Sequence, residues 1–71
     1  MNQMYTDRAN GYAATARNRT RGNLIAEIAE AEGVAIHWSE QGQPHNAADA
    51  RAKVEGFRRE LARRDDAGVT A

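Results

Sequence analysis

The chain has no cysteine, one proline and one tryptophan among its 71 residues. Without thiols it forms no disulfide and performs no thiolate chemistry, and it lacks the commonest ligand of structural zinc. It also lacks long hydrophobic runs: no stretch approaches the ~20 apolar residues of a membrane span, and none resembles the apolar segment of a secretory leader. A soluble, cytoplasmic protein is therefore expected. An excess of one charge is missing too, because ten basic side chains balance ten acidic ones. That balance argues against a strongly basic nucleic-acid protein.

Bulky side chains are the scarcest resource for folding. Fifteen residues are alanine and only fourteen are large and apolar. Burying a large side chain stabilises by ~1.5 to 3 kcal/mol, whereas ordering each residue costs ~1 to 2 kcal/mol of backbone entropy, so a lone chain of this size lies near break-even. Two copies, or a partner protein, are expected to complete the core.

What is present is organised in blocks. Residues 1 to 23 carry a net charge of +3, residues 24 to 50 carry −5, and residues 51 to 64 carry +4, before Asp65 and Asp66 return the total to zero. Alternating blocks of this kind pair with one another within a fold or between copies.

The clearest element is residues 46 to 64, where Ala47, Ala50, Val54, Phe57 and Leu61 repeat at helical spacing. Asn46 is the expected N-cap, and Asp65-Asp66-Ala67-Gly68 the end. Asp49 with Lys53, Glu55 with Arg59, and Glu60 with Arg64 form acid-to-base pairs four residues apart, expected along the outer face. Gly56 weakens the middle of this helix and marks a close helix crossing.

A second helix is predicted over residues 23 to 32, capped by Asn23 and ended by Gly33. Val34 to Ser39 alternate large apolar with smaller or polar residues, which predicts a short extended segment at 34–39. Tyr5, Ala9, Tyr12 and Ala16 also follow helical spacing, but Asn10-Gly11 and Arg21-Gly22-Asn23 read as breakers. The expected fold is mainly α: a helical hairpin of 23–32 and 46–64, the extended segment between them, a loose N-terminal helix at 12–20, and dimerisation as the consequence of the thin core. The domain spans 12–64, with a mobile tail at 1–11 and a flexible tail at 65–71. Leu24, Ile28, Val54, Phe57, Leu61 and Trp38 are expected to be the most buried residues, followed by Tyr12 and Ile25.

Several residues carry candidate chemistry. Ile28-Ala-Glu-Ala-Glu-Gly-Val34 looks like the first helix and turn of a helix-turn-helix, within a degenerate segment at 24–42. The rest departs from that pattern: Glu32 precedes the turn glycine, and Ser39 and Gly42 occupy the buried positions of the recognition helix. Arg17, Arg19 and Arg21 form one basic cluster, and Arg58, Arg59 and Arg63, with Arg64, form another suited to phosphates. The alternative is that these arginines pair with acidic residues of this chain or a neighbour. A ribbon-helix-helix needs two helices after its strand, and only one is predicted.

His37 and His45 lack the spacing of a metal site, and nothing in the sequence assembles a nucleophile, base and oxyanion donor. No cofactor, metal or small-molecule substrate is expected. Ile36, His37 and Trp38 are the expected partner-binding residues, since tryptophan is enriched at binding hot spots. Trp38 could equally cover a gap between alanine-rich helices. These features suit a non-enzymatic protein-interaction module, an accessory, inhibitory or regulatory protein of the size found in bacterial, plasmid or phage systems. The alternative is a small DNA-binding transcriptional regulator that uses the arginine clusters.

Overall fold

A computed structural model describes residues 3–68 as three helices, α1 (Gln3–Ala16), α2 (Arg21–Glu40) and α3 (Pro44–Asp66). Of the tails expected at 1–11 and 65–71, residues 3–11 belong to α1 and residues 65–66 to α3, while residues 1–2 and 69–71 lie outside the described residues.

Each helix has a local cause. Tyr5, Ala9, Tyr12 and Ala16 form one face of α1, with both alanines fully buried. This face carries the helix through Asn10-Gly11, so α1 spans 3–16 and not 12–20. Residues 17 to 20 instead form the connection to α2. Thr20, and not Asn23, caps α2: its backbone is extended, and its Oγ1 accepts a hydrogen bond from the Asn23 amide at 3.1 Å.

The extended segment predicted at 34–39 is helical, and there is no strand among the described residues. Leu24, Ile28, Ala31, Ala35 and Trp38 are spaced 4, 3, 4 and 3 apart, so the face of α2 turned toward α3 runs straight through Gly33. Continuing the helix keeps Ala35 buried and every backbone group paired, whereas a lone strand would leave its amides and carbonyls without a ladder. The helix-turn-helix-like segment is accordingly one continuous helix with no turn at Gly33. α2 ends at Gly42, which adopts φ +70, while the Gln43 amide donates to the Trp38 carbonyl and the Gly42 amide to that of Ser39. This is a Schellman termination, the arrangement for which a left-handed glycine is suited.

Pro44 occupies the first turn of α3, where a missing amide proton costs nothing, and Gln43 takes the cap position expected for Asn46. Gly68, at φ +73, terminates the helix where the sequence indicated.

The central element is α3. α1 and α2 each pack along it and meet one another only weakly. The layer is thin, 40 × 24 × 16 Å overall. Phe57 and Leu24, the largest fully buried side chains, are joined by Ala16, Ile28, Ala31 and Val54, with Tyr12 and Leu61 packed at the edge. The Tyr12 ring meets Phe57 edge-on at 6.1 Å, and Arg19 and Lys53 lie over the Phe57 ring at 5.2 and 5.5 Å.

Three burial expectations fail. Leu61 and Trp38 are half-buried, and Ile25 is 53% exposed because it lies about 100° around the helix from Leu24. Gly56 is the close crossing: a Cβ there would stand 2.5 Å from the Ala9 carbonyl oxygen and 2.7 Å from Tyr12 Cβ.

Candidate interaction surfaces

The α3 residues left uncovered by α1 and α2 form the floor of an open groove of about 670 Å³. Val54, Ala62, Arg51, Glu55, Arg58 and Arg59 lie along it, Tyr5 of α1 stands on one wall, and Ala35, Ile36 and Glu32 of α2 form the other. Its apolar strip is edged by charged side chains that hold one another. Arg58 donates to Glu32 at 2.6 Å, Arg59 to Glu55 at 2.6 Å, and Arg59 also to the Asn10 amide oxygen at 2.6 Å.

The predicted trio Ile36, His37 and Trp38 is divided between surfaces. Residues two apart on a strand share a face, but on a helix they diverge by about 200°. Ile36, 60% exposed, stands at the lip of the groove. Trp38 is turned to a separate hollow with Tyr12, Val34, Asp49 and Lys53, its ring edge-on to His37 at 5.0 Å. His37 itself is exposed.

The arginine clusters are largely engaged within the chain. Arg19 donates to Asn23 at 2.8 Å and Arg21 to Asp65 at 3.0 Å. Arg63 makes a two-pronged contact with Glu60, both bonds at 2.8 Å. Arg17 is exposed and lines a shallow hollow with Asn10, Arg59 and Arg63. The acidic stretch of α2 is paired with α3: Lys53 reaches Glu27 at 2.6 Å, which lowers the Glu27 pKa through that hydrogen bond and the ammonium charge. Asp49, expected to pair with Lys53, instead accepts from Tyr12 Oη at 3.1 Å and lies 3.7 Å from Arg8. Burial, then the Asp49 hydrogen bond and charge, raises the Tyr12 pKa.

Glu60 and Arg64 are the residues sequence reasoning misplaced most. Both were expected on the outer face, yet they are 3% and 4% exposed. Arg64 Nε donates to Glu60 at 2.8 Å, and its Nη2 donates to the carbonyl oxygens of Ala16 at 3.1 Å and Arg19 at 2.6 Å. The guanidinium thus ties to α3 the carbonyl of Ala16, which also accepts from the Arg19 amide, and that of Arg19 in the connection. Hydrogen bonds from Arg63 and Arg64 outweigh burial and hold the Glu60 pKa down at about 2.

Among the described residues there is no group of three or more His, Cys, Asp or Glu placed to hold a metal ion, and no helix is long and apolar enough to cross a membrane. No family model, curated protein or solved structure matches the chain.

Proposed function

We propose that this chain is a non-enzymatic protein-interaction module, an accessory or inhibitory protein of the cytoplasm, which binds a segment of another protein in the groove over α3. The observation that carries this reading is the groove itself: exposed Ile36 and Ala62 and half-buried Tyr5 flank the buried Ala35 and Val54 between charged borders. An apolar centre with a polar rim is the anatomy of a specific protein contact. Ile36 at the lip supplies the exposed apolar anchor.

A DNA-binding regulator is the runner-up. It would draw on Arg17, Arg19, Arg21, Arg58, Arg59 and Arg63, but five of these six already hold an oxygen partner within the chain. Phosphate binding would have to compete with those contacts, and phosphate contacts carry most nucleic-acid affinity.

The test is photo-crosslinking in the producing cells, with benzoylphenylalanine at position 62 in the groove and at position 15 on the exposed side of α1. The reading expects a protein adduct from position 62 that is lost when Arg58→Glu reverses the charge at the groove edge. Equal labelling from both positions would defeat it, and an adduct removed by nuclease would establish the DNA reading.

A further inference from the structure

Ile25 and Ile36 stand 53% and 60% exposed on α2, away from the α3 contact. At about 100° per residue, they fall with Gly22, Ala29 and Gly33 inside an arc of about 80°. Within one chain this face has no packing partner: a Cβ at Gly22 or Gly33 would meet no atom within 4 Å. Glycine in a helix interior, as at Gly33, costs ~1 kcal/mol relative to alanine, and the close crossing that explains Gly56 exists neither there nor at Gly22 in the first turn.

We propose that this face joins two copies of the chain, their α2 helices antiparallel about a two-fold axis at Ala29. In that register Ile25 of one copy faces position 33 of the other, Ile36 faces position 22, and Ala29 faces its equivalent. Each bulky side chain meets a glycine, so the pattern of sizes is its own complement. A two-fold contact demands this, because the same patch must serve as both halves.

Charge follows the same register. Arg17, in the connection before α2, and Glu40, at the end of α2, are both exposed, so antiparallel packing brings the basic end of each copy to the acidic end of the other. The helix dipoles also oppose favourably. One helix face about 30 Å long makes a small interface, and the dimer is expected to dissociate on dilution. The contact adjoins the groove: Ile25, Ala29 and Gly33 do not line it, but Ile36 borders both, so the two-fold contact draws on the same anchor as the groove.

Sedimentation equilibrium on the full chain is expected to show a species of twice the 7.8 kDa monomer mass at high concentration. Gly33→Leu should raise the dissociation constant at least tenfold while the diluted, monomeric variant melts no lower than wild type, since leucine favours helix and its Cβ has open space in its own chain. Because the protein has no cysteine, Ala29→Cys supplies one thiol per chain. Under a glutathione redox buffer it should form a disulfide-linked pair at least tenfold faster than Thr15→Cys on α1. Arg58→Glu, which disrupts the groove edge, should leave the dimer intact. A monomer up to millimolar concentration, or equal oxidation rates for the two cysteine variants, would overturn the proposal.

Discussion

Arg64 and Glu60 form a buried ion pair one helical turn apart on α3, joined at 2.8 Å, and through it the end of α1 is tied to α3. The pair does two jobs at once. Glu60 neutralises a guanidinium that is almost wholly removed from water, and that guanidinium caps carbonyls of the α1–α2 connection.

Loss of Arg64 should therefore be among the most damaging single changes. Arg64→Ala leaves Glu60 with Arg63 alone and removes the buried donor to the Arg19 carbonyl, a change that costs ~2 to 3 kcal/mol. Stability of a small domain is only ~5 kcal/mol or somewhat above, so the urea midpoint should fall by about half. Arg64→Lys keeps the charge but loses the planar fork, and its midpoint should fall between those of Arg64→Ala and wild type.

The acid limb of stability should follow Glu60. Its folded-state pKa of about 2 lies below the ordinary 4.5, so its contribution is fully present above pH 4.5 and is lost as pH falls through about 2. Glu27 is shifted in the same direction by Lys53 and adds to the effect. Urea midpoints measured across this window should decline with acid in wild type. In Glu60→Gln the decline should shrink to the Glu27 part, from a lower starting stability.

Two glycines should respond to alanine with opposite signs. Gly11 of α1 has no atom within 4 Å of a new Cβ, so Gly11→Ala should stabilise by ~1 kcal/mol. Gly56→Ala would place its methyl 2.5 Å from the Ala9 carbonyl oxygen and force α1 off α3. The steric penalty of ~1 to 3 kcal/mol exceeds the helix gain, and thermal melts of the pair should move in opposite directions.

Phe57 should dominate the apolar core. It is 1% exposed and touches residues from all three helices through Tyr12, Leu24 and the α3 stripe. Phe57→Ala should cost ~3 to 5 kcal/mol and Phe57→Leu much less, as read by denaturant midpoints.

Along the apolar stripe of α3 as far as Phe57, sequence reading and structure agree, whereas Leu61 beyond it is half-buried. Ala47, Ala50, Val54 and Phe57 are buried as their spacing requires, and Gly56 marks the crossing of α1. In α2, Gly33 reads as a terminator and Val34, Ile36 and Trp38 invite a period of two. The helical series Leu24, Ile28, Ala31, Ala35 and Trp38 runs through Gly33 all the same, and Gly42, with its positive φ, follows the end of the helix. The groove was not visible, because it is defined by what α1 and α2 leave uncovered on α3.

The sequence by itself determined that the chain is helical, where α3 lies and which of its faces is apolar, since these follow from spacing along one element and from local termination chemistry. Tertiary structure alone decided that Glu60 and Arg64 are buried, that Ile25 is exposed and that Ile36 and Trp38 point to different surfaces. The physical reason is that a side chain beside an apolar stripe is covered or left in water according to which second helix lies over it. That depends on contacts between residues as far apart in the chain as Ala16 and Arg64.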